Sequence, residues 1–389
     1  MKYDFDEIFN RKGSDCVKYD RLEAIFGTAD VDPMWVADMD FRSPEVILDA
    51  IRHRLDHGVL GYTYATSHYF EAVRNWMKRR YAIEASDSEL HFIPGIVAGI
   101  SFALQVFTQP SDAILLLAPV YPPFINLPSG SQRKVHYSKL HRKEGRFVID
   151  FDDLDRKARG CKMMILANPH NPGGTVWSQT ELSQIAEICN RHGLVVVADE
   201  IHADLTLPGY HHVAYPTVSP LAAAQCLMFF APSKTFNIAG LSSSVCYIPN
   251  EELRQCFYAY LDTFELANGN IFAFVGAEAA YRYGEPWLEE CVRYLAGNVA
   301  ALDEFLQSQM PRVKAVLPQA SYLAWLDFAD YGYQHAESRS RLLYRAKVAL
   351  NSGTNFGGSD FENCFRLNIG CPRLKMMEAL TRIKEAFDE

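Results

Sequence analysis

Lys234 lies in Phe229-Phe230-Ala231-Pro232-Ser233-Lys234-Thr235-Phe236-Asn237-Ile238-Ala239-Gly240, directly after an apolar, strand-like run and among small and hydroxyl-bearing neighbours. A lysine in a partly desolvated place is neutral often enough to act as a nucleophile, so this one can do covalent chemistry. Three further apolar runs, Ala113–Ala118, residues 163–167 and residues 194–198, also end next to residues of chemical interest: Tyr121, Asn171 and Asp199. Ligands of open parallel α/β sheets bind in the crevice at the carboxyl ends of the strands, so the four strand ends are predicted to converge on one site.

The elements that must position these residues follow from pattern. Continuous apolar runs suit strands buried on both faces. Between the runs ending near Asn171 and Asp199, Ser178-Gln179-Thr180-Glu181 forms a capping-box pattern, Leu182, Ile185, Ala186 and Cys189 recur at helical spacing, and Gly193 can stop the helix. The middle of the chain therefore reads strand, helix, parallel strand, the repeat of a doubly wound α/β sheet. Residues 1–42, rich in charge and aromatics without a clean period, read as an arm or as strands of a smaller domain. A helix starting at Ser43-Pro44-Glu45 opens a large domain over 43–280. After Gly284-Glu285-Pro286 the order helix, strand, helix (339–346), strand, helix over 281–389 makes a smaller α+β domain.

Composition bounds the function. With 389 residues, 49% of them hydrophobic, the chain can bury a large core in two domains. A formal charge of -9 with no basic run argues against sequence-independent nucleic-acid binding. No apolar stretch approaches the roughly 20 residues needed to span a bilayer. The opening Met1-Lys2-Tyr3-Asp4-Phe5-Asp6-Glu7 lacks the apolar core of a signal peptide, so a cytoplasmic protein is expected. The nine cysteines are scattered without a C-x-x-C pair and read as reduced core thiols, and His211-His212 reads as a solvated loop rather than a metal site.

The four strand ends supply what pyridoxal phosphate needs: a lysine for its aldehyde, an acid for its ring nitrogen, a cradle for its phosphate and a plane for its ring. Lys234 would condense with the aldehyde, and Asp199 would keep the ring nitrogen protonated so that the ring can draw electrons from a substrate carbanion. Asn171 and His202 could reach the ring hydroxyl, and Tyr121 could stack on the ring. Pro94-Gly95-Ile96-Val97-Ala98-Gly99 opens a helical pattern whose free amides could bind phosphate.

These residues carry a resemblance. Trp35-Val36-Ala37-Asp38-Met39-Asp40-Phe41, Gly61-Tyr62-Thr63, Asn168-Pro169-His170-Asn171-Pro172, Asp199-Glu200-Ile201-His202-Ala203-Asp204 and the Lys234 segment resemble the fold-type I pyridoxal phosphate enzymes, the class I/II aminotransferase superfamily. Within it they look like the carbon–sulfur β-lyase branch that includes cystathionine β-lyases and cystalysin-type enzymes. The resemblance implies Lys234 as the cofactor lysine and proton shuttle, Asp199 as the pyridinium partner, Asn171 and His202 at the ring hydroxyl, and Tyr121 as the stacking ring. It implies the amides of Ile96 and Val97, with Ser233, at the cofactor, and Arg366 and Ala37 at the substrate. Tyr62 would reach across a homodimer interface to the partner's cofactor phosphate and substrate.

Two departures from the aminotransferase pattern stand out: Ser242, where many aminotransferases place an arginine or lysine on the phosphate, and Ala231, where a serine is frequent. The phosphate site is expected to be less cationic than in those relatives, a trait the lyase branch shares. The implied reaction is elimination from cystathionine or another S-substituted cysteine, giving a thiol, pyruvate and ammonia. The rivals are an aminotransferase, which shares the early steps, and an added regulatory binding role. Substrate choice would be set near residues 121–124, Trp35, Tyr64 and the loop 351–358.

Overall fold

A computed structural model describes residues 3–388; Met1 and Lys2 of the opening segment, and Glu389, lie outside the described residues. A seven-stranded sheet runs, edge to edge, through Leu90–Ile93, Ser244–Tyr247, Cys226–Phe230, Val195–Asp199, Cys161–Ala167, Ala113–Ala118 and Lys134–Lys139. The four apolar runs singled out in the sequence are thus four adjacent strands, and all of them pair in parallel. The chain winds outward from Ala113–Ala118 to Lys134–Lys139 and then crosses back to Cys161–Ala167. That reversal is a topological switch point, where the loops leaving neighbouring strands part and open a crevice.

Ser244–Tyr247 pairs antiparallel with both its neighbours, so the sheet is mixed although mostly parallel. Helices cover it as the pattern requires. Gln179–His192 begins with the reciprocal Ser178–Glu181 capping box and ends where Gly193 takes a left-handed φ of 67°. Ile96–Phe107 packs closely because Gly99 has no side chain: a Cβ there would lie 2.6 Å from the Ile93 Cδ1.

A second, antiparallel sheet joins Lys314–Val316, Leu323–Asp327, Cys364–Asn368 and Asn351–Ser352, flanked by the helices Glu285–Gln309 and Arg373–Asp388. Three details depart from the sequence reading. In place of strands, one of the two readings of the opening segment, the described residues 3–40 form two short helices, Val17–Asp20 and Leu22–Phe26, with only Asp32–Pro33 as strand. The helix expected over 339–346 is His335–Ser340 followed by a wider π turn, Arg341–Arg345. His212 is buried rather than solvated, because its Nε2 meets Glu200 Oε2 at 2.8 Å. That carboxylate also accepts from the Asn168 side chain and the Tyr215 amide. Among the described residues no helix is long and apolar enough to cross a membrane.

Asp204 ties the helix Ser67–Tyr81 to the turn that carries Lys234. Its buried carboxylate accepts hydrogen bonds from Trp76 Nε1 (3.1 Å), Tyr81 hydroxyl (2.8 Å) and Thr235 Oγ1 (3.1 Å). Asp204→Ala would leave three buried donors unsatisfied, each costing about 1–3 kcal/mol. The expected outcome is a loss of roughly 3 kcal/mol or more, read as a lowered urea midpoint. A midpoint within experimental error of the parent would contradict this anchoring role.

Candidate active site

Lys234 sits in the one-turn helix Pro232–Thr235, directly past the Cys226–Phe230 strand. Its Nζ donates to the Ala37 carbonyl at 2.5 Å. Burial lowers its pKa to about 8; Asp38 and Asp199 oppose the shift and Arg366 adds to it. The same burial acts in the other direction on Asp199, at the end of its strand, lifting the carboxyl to about 7 although the Ile201 amide donates to Oδ1 at 3.0 Å. Desolvation disfavours the charged form of each group, so it weakens the acid and the amine together.

Arg366 enters from the second sheet, on Cys364–Asn368. Its Nη1 donates to Asn171 Oδ1 at 3.0 Å and its Nη2 to the Trp35 carbonyl at 3.0 Å, while Nε is buried without a partner. The guanidinium lies 5.0 Å from the centre of the Phe356 ring, and burial lowers even its pKa to about 10. His202 is buried with an unpartnered Nδ1, and burial, helped by Lys234 and Arg366, depresses it to about 3; it is a neutral ring at ordinary pH. Tyr121 caps the helix Pro122–Gly130 and feels the charges of Arg366 and Asp199. Gly95, at φ 114°, leads into Ile96–Phe107, whose first internal bond runs from the Gly99 amide to the Gly95 carbonyl. The Ile96 and Val97 amides stand in the turn before that ladder starts, where helices bind anions.

One segment, residues 34–41, threads between the two sheets, and its carbonyls bind side chains from both. Arg366 and Asn351 donate to Trp35, Asn368 to Val36 and Asp38, Lys234 and Tyr322 to Ala37, and Asn237 to Met39 and Phe41. Beneath it the Asp40 carboxylate accepts from Arg11, Lys18, Tyr19 and Lys375 at 2.8–2.9 Å. Burial alone would raise that acid, but Lys18 and Lys375 hold it well below the ordinary carboxylate range.

The structure therefore gathers Lys234, Asp199, Asn171, His202, Tyr121, Arg366 and the Ala37 carbonyl. Ser233 lies beside Lys234, half-buried, and Ser242 is exposed. Tyr62 is not brought among them within one chain: it is fully exposed, in a cleft with Asn268, Asn270 and Phe272. Sequence reasoning missed Asn237, Asn368 and Tyr322. Asn368 stands two residues after Arg366 in an apolar strand, and that period-2 pair of polar residues was the available signal. The site's donors and acceptors suit a planar ligand with an electrophilic carbon, a ring nitrogen and an anionic tail.

The chain matches the family described as Aminotransferase class I and II over residues 36–383. It belongs to that family. Within the family it is 42% identical, over 98% of this chain and 99% of the relative, to cystathionine beta-lyase PatB of Bacillus subtilis. Cystalysin from Treponema denticola superimposes with a TM-score of 0.95 at 31% identity, covering 100% of this chain and 99% of that one. The C-S lyase from Staphylococcus hominis gives a TM-score of 0.92 at 34% identity, covering 100% and 98%.

The raised Asp199 makes a signed prediction for the family member stripped of ligand. Between the ordinary value of 3.8 and about 7 the folded state binds more protons at Asp199 than the unfolded chain does. This contribution is therefore full at low pH and is lost as pH rises through 7. Asp199→Asn removes it, so the melting-temperature difference between variant and parent should shift in favour of the variant from pH about 4 to about 8. A difference constant with pH would refute the raised acid.

Proposed function

We propose that this chain is a pyridoxal phosphate-dependent carbon–sulfur β-lyase, cleaving L-cystathionine or another S-substituted cysteine to a thiol, pyruvate and ammonia. The observation that carries the reading is a half-buried amine sharing one electrostatic neighbourhood with a buried carboxylate and a buried guanidinium, in a chain 42% identical to a cystathionine beta-lyase.

The residues present fit the cofactor. Lys234 suits its aldehyde, Asp199 its ring nitrogen, Asn171 and the orphaned His202 Nδ1 its ring hydroxyl, and Tyr121 its ring face. The Ile96 and Val97 amides, with Ser233, suit its phosphate. A cationic ring nitrogen beside Asp199 would pull that carboxyl back down from about 7. Bound there, the cofactor supplies a sink for the electron pair left on the substrate Cα.

The chain's own residues then have defined tasks. Arg366, its Nε unpartnered and its Nη1 held by Asn171, offers the guanidinium fork to the substrate α-carboxylate, whose planar pair of oxygens such a fork suits. Lys234, with a pKa near 8, takes the Cα proton as a positioned general base. The Cβ–S bonding pair departs with the thiolate, and water completes the conversion to pyruvate and ammonia.

The proposal includes an arm at 1–42, a cofactor-binding domain at 43–280, a smaller domain at 281–389, and a homodimer working in the cytoplasm. Val59, Leu60, Tyr62 and Tyr64 are all exposed, and an apolar patch of this kind supports a second copy, to whose site Tyr62 would contribute.

The cofactor-loaded protein, given L-cystathionine or a simple S-alkyl cysteine without any keto acid, is expected to release pyruvate and free thiol catalytically and in equal amounts. Turnover only after a keto acid is added would make it an aminotransferase instead. Lys234→Ala should lower turnover by at least about 100-fold, while a purely regulatory role would survive it. Arg366→Lys should cost roughly 10- to 100-fold in kcat/KM, mostly through KM. An unchanged KM would remove Arg366 from the carboxylate site.

A further inference from the structure

The Ala37 carbonyl receives two donors: Lys234 Nζ at 2.5 Å and the Tyr322 hydroxyl, from the second sheet's side, at 2.9 Å. Tyr322 is fully buried and held on several sides. Its ring meets His202 edge-on at 6.3 Å, its carbonyl accepts from the Ile369 amide at 2.8 Å, and Gly370 packs so close that a Cβ there would lie 3.1 Å from Tyr322 Cγ. The preceding Ser321 takes a left-handed φ of 74°, a conformation that a side-chain-bearing residue keeps only where its surroundings impose it.

A carbonyl oxygen has two lone pairs, and at Ala37 both are taken. Each donor draws on the same electron density, so the hydroxyl weakens the hold on the amine. Packing of the ring does not require the hydroxyl; the hydrogen bond does. We propose that Tyr322 is a positioning residue for Lys234, its hydroxyl sharing the Ala37 carbonyl so that the amine is held in place yet leaves the carbonyl readily for its work at the substrate.

The groups facing the pair are Asp38, Asp199, Arg366 and His202 around Lys234, and Asp38, Arg366, Tyr121 and Cys291 around Tyr322. Burial, reinforced by Asp38, pushes the Tyr322 phenol well above its ordinary value, so it remains a donor throughout the range in which Lys234 titrates. Removing the hydroxyl orphans nothing, because the carbonyl keeps Lys234.

The inference rests on Lys234 being the reactive amine of the proposed function. Its test compares the full-length parent, Tyr322→Phe, and a protein with 3-fluorotyrosine at 322, a stronger donor of nearly the same shape. Uptake of pyridoxal phosphate by each cofactor-free protein is followed by absorbance from about pH 6 to about pH 10, across the range where a depressed lysine titrates. The parent should show an inflection near 8. Tyr322→Phe should move it upward, because the freed carbonyl retains the charged amine more strongly, and 3-fluorotyrosine should move it downward. In steady state, Tyr322→Phe should lower kcat with KM changed by less than about twofold. Coincident inflections in proteins that melt alike would overturn the inference. Should Tyr322→Phe not fold, the fluorinated protein decides alone by the direction of its shift. A parent that takes up no pyridoxal phosphate would instead overturn the functional reading.

Discussion

The arrangement depends on hydrogen bonds that pin one irregular, repeatedly bent segment, residues 34–41, between two sheets. Belonging to neither helix nor strand, its carbonyls have no regular backbone ladder to satisfy them, and burial makes every unpaired one costly. The partners come from far away in sequence: Lys234 and Asn237 past one strand, Tyr322 at the start of another, and Arg366 and Asn368 on a third. Satisfying this segment's backbone therefore brings the reactive side chains to one place. Asp40, whose carboxylate holds four donors, fixes the far side of the segment against Lys18 and the helix Arg373–Asp388.

Burial tunes the same groups that the segment positions. Lys234 falls toward neutrality and Asp199 is weakened as an acid for one reason, the loss of water around both. Arg366 remains a cation even when fully enclosed, which a lysine in its place would not guarantee. The site keeps a permanent positive charge for an anion while its amine stays free for proton transfer. Its unpartnered His202 Nδ1 and Arg366 Nε are buried polar capacity left open for a ligand.

Strand ends were legible in the sequence because a strand buried on both faces must be apolar throughout, and the first polar residues after it are conspicuous. Ala113–Ala118 was read to the residue, and the capping box at Ser178 and the stop at Gly193 fixed a helix through local chemistry alone. Ser244–Tyr247 was not legible as antiparallel, since direction leaves no mark on a short apolar run. The burial of His212 was equally hidden: its partner Glu200 lies next to the far more conspicuous Asp199, and a loop histidine carries no local sign of an acid twelve residues earlier.

By itself, the sequence determined which residue types could do chemistry and that Lys234, Asp199, Asn171 and Tyr121 follow parallel strands, because periodicity and turn chemistry act over a few residues. Tertiary structure alone decided that Asn237, Asn368 and Tyr322 converge on residues 34–41, and that Arg366 from the second sheet reaches Asn171 in the turn past a strand of the first. Those contacts join residues up to about 330 positions apart, such as Asp38 and Asn368. Nothing in local propensity encodes such a pairing. It is selected by the cost of leaving a buried polar group without a partner, a cost that exists only once the chain has closed around it.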